Sequence, residues 1–150
     1  METTAQETTE KVDTTKKEKI GREVAQKILE DIYQDLGISM DFVDQEDDDK
    51  NTVNKLLNAI MMGRLEYDNG VFKQTLLNPI MAGQKEIKVL EIFEPSGSDL
   101  REMSSVKKKN DDVGKALAVL ASVTALGLPV INKMKSRDMM VAVGVMSLFL

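Results

Sequence analysis

Asp68-Asn69-Gly70 dictates a reversal of the chain. Asn-Gly tolerates the positive φ of a tight hairpin turn, and Arg64–Tyr67 and Val71–Leu76 flank it. Phe72–Leu76 alternates apolar with polar residues, the period of a strand. Asn78-Pro79 and then Ala82-Gly83-Gln84 are expected to break it, because proline fixes φ and glycine permits φ > 0. Glu86–Phe93 resumes the alternation, with Ile87, Val89 and Glu91 on one face and Lys88, Leu90 and Ile92 on the other. Apolar residues on both faces predict a strand covered on both sides at its centre. The result is a small antiparallel sheet of about three strands, the minimum for independent stability, and it needs helices to cover an apolar face.

Helices are predicted on both sides of the sheet in sequence. Ile20–Leu36 repeats Ile20, Val24, Ile28, Ile32 and Leu36 every four residues, with Ala25, Leu29 and Tyr33 beside them and Gly37 as its C-cap. Asn51–Met62 gathers Val53, Leu56, Leu57, Ile60 and Met61 on one face and ends at Gly63. Ile38–Lys50 joins these helices as a strongly acidic linker. It lacks the glycine and terminal glutamate of an EF-hand loop and reads as a solvated, self-repelling segment. Its last carboxylates stand before a helix N-terminus, where the dipole favours negative charge. Met1–Lys19 has almost no apolar residues and is predicted to be a disordered tail.

Beyond the sheet, Glu94-Pro95-Ser96-Gly97 stops the third strand, and Ser98 or Asp99 can cap a helix over Ser98–Ser105. Lys107-Lys108-Lys109 and Asn110-Asp111-Asp112 read as an exposed loop. Val113–Leu126 is apolar nearly all round, as either a central core helix or a docking helix, and Gly127 and Pro129 interrupt it too early for a membrane span. Ala118, Ala121, Ser122 and Ala125 would let another helix approach closely. Pro129–Lys135 reads as a short helix or turn. Ser136 and Asp138 are cap candidates for a last helix, Met139–Leu150. A chain ending on Leu148-Phe149-Leu150 calls for burial in the fold, in an oligomer interface or in a partner groove. The class is α+β, with a helical C-terminal half. The expected division is a tail over 1–19, a helical extension over 20–62 and an α+β domain over 63–150.

The composition narrows the chemistry. With 0 Cys and 0 His, Ser-His-Asp and Cys-His catalysis and the usual zinc sites are excluded. No Gly-rich phosphate loop or metal cage stands out, so no cofactor is expected and a small enzyme would have to rest on paired carboxylates. A net charge of −5 argues against nonspecific DNA binding and against a DNA-binding regulator built on the terminal helices. The 10 methionines suit either core gap-filling or an adaptable binding surface. The polar N-terminus is not a secretory signal and predicts a cytoplasmic protein.

An ordered set of motifs carries a resemblance. Leu76-x-x-Pro79-Ile80 is followed by a turn, a strand of apolar and charged residues, and Glu94-Pro95-x-Gly97-x-Asp99-Leu100-Arg101. Leu126-Gly127-Leu128-Pro129, Asp138 and Leu148-Phe149-Leu150 follow in the same order. This half of the chain, Phe72–Leu150, resembles the small tail assembly chaperones of tailed bacteriophages. The resemblance implies a non-catalytic protein of the host bacterial cytoplasm, absent from the mature virion. It implies the tape measure protein as partner, coated along its apolar helical segments until tail tube subunits polymerise around it. It also implies a homo-oligomer and contact with the tail tube protein, while the acidic charge argues against nucleic acid and the interrupted apolar run against a membrane. A structural tail or head-completion subunit of the particle is the alternative, and it would form rings or fibres by itself. Burial logic points to Val119, Leu120, Val123, Leu126, Val145, Leu148 and Phe149 as partner-facing, with core packing the alternative for each.

Overall fold

The computed structural model describes residues 19–39 and 47–150. The expected tail, apart from Lys19, and residues 40–46 of the expected linker lie outside the described residues. Helix α1 spans Arg22–Asp35 and α2 spans Asp47–Met61. The strands are β1 (Leu65–Asp68), β2 (Val71–Ala82) and β3 (Lys85–Phe93). Then come α3 (Gly97–Leu100), a 3-10 turn (Arg101–Ser105), α4 (Asp112–Thr124), α5 (Leu128–Ile131) and α6 (Ser136–Ser147). The architecture is the expected α+β arrangement, a three-stranded antiparallel sheet in the order β1-β2-β3 with helices flanking it in sequence.

The hairpin turns form where the sequence places them. Asn69 and Gly70 both take positive φ, 50° and 82°, and close β1 onto β2 with Asp68 opposite Val71. Both N-terminal helices end in the same motif. Gly37 adopts φ 73°, its N–H reaches Gln34 O, and the Ile38 N–H reaches Tyr33 O. Gly63 repeats this with Ile60 O and Arg64 N–H to Ala59 O. These are Schellman caps, in which a left-handed residue lets the chain turn back and satisfy the last carbonyls. The acidic linker is shorter than expected, because Asp47, Asp48 and Asp49 already form the first turn of α2.

The second strand departs from expectation. Asn78-Pro79 does not end it, and β2 continues to Ala82. Thr75 faces Val89 and Ile80 faces Ile87, so four residues of β2, Leu76–Pro79, stand against Lys88 alone. Such a bulge frees backbone groups from the ladder, which is where a proline without an N–H can sit. It also shifts the phase of β3. Ile87 therefore joins Leu90 and Ile92 in the core, on the face opposite Val89. Val89 and Phe93 are each 45% exposed, so β3 is covered on one face and not on both.

The covered face presents Leu65, Phe72, Gln74, Leu76, Ile80, Ile87, Leu90 and Ile92. Helix α4 packs on β3, α5 and α6 on β2, and α2 on β1. Ala116–Ala121 are all buried, so α4 is a core helix. On α1 the buried seam is Ala25, Leu29, Ile32 and Tyr33. Val24 and Ile28, expected in the stripe, flank that seam and stay exposed. Helix α1 packs on α2, and Ala25 is wholly buried in its seam.

Candidate functional site

The first turn of α6 is held by its own inward-facing carboxylate. Its N-cap is Lys135, whose side chain makes no capping bond. Asp138, two residues into the helix, turns away from the helix end and is 3% exposed. Its Oδ1 accepts the Leu77 N–H at 2.8 Å and its Oδ2 accepts the Asn78 N–H at 3.0 Å, both in the β2 bulge. The backbone carbonyl of Asp138 accepts from Gln74 Nε2 at 2.8 Å. Asp138 is thus not the helix cap that the sequence suggested. A carboxylate accepting two backbone N–H groups compensates for its own burial and for the amides that the bulge frees from the ladder.

Gln74 is 1% exposed, and its Oε1 has no hydrogen-bond partner among the described residues. The orientation of the amide is fixed, because the end facing the Asp138 carbonyl must be the donor.

Above Gln74 a groove of about 620 Å³ opens between α2 and α6. The helices touch at Gly144, where an added Cβ would lie 3.4 Å from Leu56 Cδ2 and 3.4 Å from Thr52 Cγ2. The groove lies toward the C-terminal end of α2 and the N-terminal end of α6. Ala59, Met62, Leu77, Met140 and Val141 give it an apolar lining, and Lys55, Arg64 and Arg137 bring three cations to it. Such a site can grip an apolar segment and attract anionic groups. Among the described residues no cluster of carboxylates is arranged to hold a metal ion, and no helix is long and apolar enough to cross a membrane.

None of the seven residues picked as partner-facing lines this groove. Val119, Leu120 and Val145 are wholly buried in the core. Val123, Leu126, Leu148 and Phe149 are partly buried and pack against it. The Phe149 ring stands edge-on to Phe72, with centroids 5.8 Å apart and planes at 80°. Helix α6 is therefore an integral wall of the fold. Of the groove residues, Gln74 did leave a sequence signal, since it is an amide in the core phase between Phe72 and Leu76. The pairing of Asp138 with a bulge 60 positions away left none.

Two further polar links brace the frame. The Ser96 hydroxyl accepts the Asp99 N–H at 3.4 Å, and Asp99 Oδ2 accepts the Ser96 N–H at 2.9 Å, a capping box at the start of α3. The cap is therefore Ser96, with Asp99 as its reciprocal partner. Asp99 Oδ1 also accepts the Ser122 hydroxyl of α4 at 2.6 Å. That hydroxyl first, and then the Ser96 donors, hold the Asp99 carboxyl below the usual carboxylate range. On β1, the Tyr67 hydroxyl donates to Asp35 at the end of α1. The Asp35 carboxylate, chiefly through that bond, pushes the Tyr67 pKa up to about 12.

No curated protein and no solved structure matches the chain significantly. The family model described as phage tail assembly chaperone proteins, E, or 41 or 14, matches residues 73–150, which takes in most of β2 and everything after it. That is just over half of the sequence, and the chain belongs to this family of phage tail assembly chaperones.

Proposed function

We propose that this protein binds the tape measure protein during tail assembly and keeps it soluble, acting by contact and not by catalysis. The family match over residues 73–150 carries the reading, since it spans β3, α4, α5, α6 and nearly all of β2. The partner's long apolar helices would aggregate if uncovered, and a cover of similar chemistry prevents that. Within this reading residues 63–150 are the chaperone domain, and 20–62 form an added helical lobe joined to it through α2. The partly buried Val123, Leu126, Leu148 and Phe149, with the exposed Leu150, offer apolar surface at the margin of the core. Val119, Leu120 and Val145 support that surface from beneath. The protein would act in the host bacterial cytoplasm as a small oligomer, meet the tail tube protein at handover, and be absent from the finished virion.

Co-expression with the tape measure protein of the same phage tests this, followed by affinity pull-down and size-exclusion chromatography. The expected result is a soluble tape measure protein that co-elutes. Persistent insolubility of that protein, with rings or tubes formed by this chain alone, would favour a structural tail or head-completion subunit instead.

A further inference from the structure

We propose that the groove between α2 and α6 takes one helical segment of a protein partner, apolar along one stripe and acidic beside it. This rests on the reading that the protein works by binding another protein. Two observations carry it. First, the groove is lined by Met62, Leu77 and Met140, three of the eleven large apolar side chains that stay exposed among the described residues. Second, its charge opposes that of the molecule. The chain carries −5, yet Lys55, Arg64 and Arg137 converge here, and the one carboxylate in the lining, Asp138, is already engaged by two backbone amides.

The shape selects a helix. β1 pairs with β2 only from Val71 to Gln74, but beyond it the Thr75 N–H is taken by Arg64 O and the Leu77 and Asn78 N–H groups by the Asp138 carboxylate, so an extended segment finds those donors already engaged. The walls are two helices that touch at Gly144, and a third helix can lie in the space beyond that contact, with anchors at i, i+3 and i+4 entering between them. Carboxylates flanking those anchors would meet Lys55 on one wall and Arg137 on the other.

The test uses the full chain and two synthetic helical peptides of about 20 residues, long enough to hold a helix. They share one leucine stripe and differ only in flanking glutamates or flanking lysines. Titration by calorimetry is paired with amide NMR shifts. The glutamate peptide is expected to bind at least tenfold tighter, to lose affinity as salt rises, and to shift Thr75, Leu77 and Met140. Lys55→Glu with Arg137→Glu should weaken it at least tenfold, while Lys108→Glu, on the distant exposed loop, should leave it unchanged. Equal binding of both peptides, shifts confined to other residues, or displacement by a single-stranded oligonucleotide would overturn the proposal. The co-expression experiment is separate, so a tape measure protein that fails to bind would sink the functional reading and leave the groove to be judged on the peptides.

Discussion

Asp138 Oδ1 stands 2.8 Å from the backbone nitrogen of Leu77 and joins the first turn of α6 to the bulge of β2. Together with Oδ2 on Asn78 N–H, this bond gives an acceptor to two amides that have left the sheet ladder. Asp138→Ala leaves both amides and the space around them unpaired. An unsatisfied part-buried amide costs about 1–3 kcal/mol, so the variant is expected to lose about 3 kcal/mol. In a domain of this size that is about 6–12 °C in Tm. Asp138→Asn keeps one acceptor oxygen and should fall between the two. Urea unfolding measures the series, and an alanine variant within about 0.5 kcal/mol of wild type would remove the bulge clamp from the account.

Asp99 predicts an acid-sensitive link between α3 and α4. Its folded pKa is depressed, so its carboxylate contributes stability above the ordinary carboxylate value of about 3.9. That contribution fades as the pH falls through the depressed value. Asp99→Asn should therefore be less stable than wild type at neutral pH, with the gap closing in acid. Parallel melts at neutral pH and near pH 3 read this directly, and a gap that stays constant across the range would contradict it.

What could be read in the chain beforehand was local. Asn69-Gly70 set its turn by backbone preference alone, and Gly37 and Gly63 ended their helices for the same reason. The apolar band of α4 exceeded what one face needs, and the structure resolves it as core. The misreadings are tertiary. Nothing in Leu76–Pro79 announces a bulge, because the residue that makes it tolerable, Asp138, lies on another element. Once the bulge is missed, the phase of β3 is missed with it, and Ile87 is placed on the wrong face. The groove was invisible for the same reason, since Lys55, Arg64 and Arg137 come together only when α2 and α6 pack across β2. On α1 two apolar rows run side by side, and only the packing partner chooses between them.

Tyr67 predicts the opposite pH behaviour from Asp99. Its hydroxyl is held protonated by Asp35, with the pKa raised to about 12. The stabilisation is whole below the ordinary tyrosine value of about 10 and is lost as the pH rises toward the folded value. Tyr67→Phe keeps the ring against Phe72, 4.7 Å between centroids, and removes only the bond to Asp35. A loss of about 1 kcal/mol at neutral pH is expected. Ultraviolet titration of tyrosinate, wild type minus variant, should show a group ionising well above pH 10. An ordinary titration would show that the bond to Asp35 does not persist in solution.

The C-terminus separates folding from docking. Removing Met139–Leu150 deletes Ala142, Val145 and Met146, all wholly buried, and should abolish the fold; the loss of binding that followed would say nothing about a contact surface. Point substitutions divide the two effects. Phe149 packs edge-on against the buried Phe72, so Phe149→Ala is expected to cost about 2–3 kcal/mol, below a fully buried phenylalanine because its ring is only part covered. Leu150 is 50% exposed, so Leu150→Glu should change stability by less than about 0.5 kcal/mol. If the apolar end meets the tape measure protein, Leu150→Glu will nonetheless lower the fraction of that protein recovered soluble on co-expression. A folded Leu150→Glu variant with full recovery would move the contact off the C-terminal end and leave the α2–α6 groove as the surface to pursue.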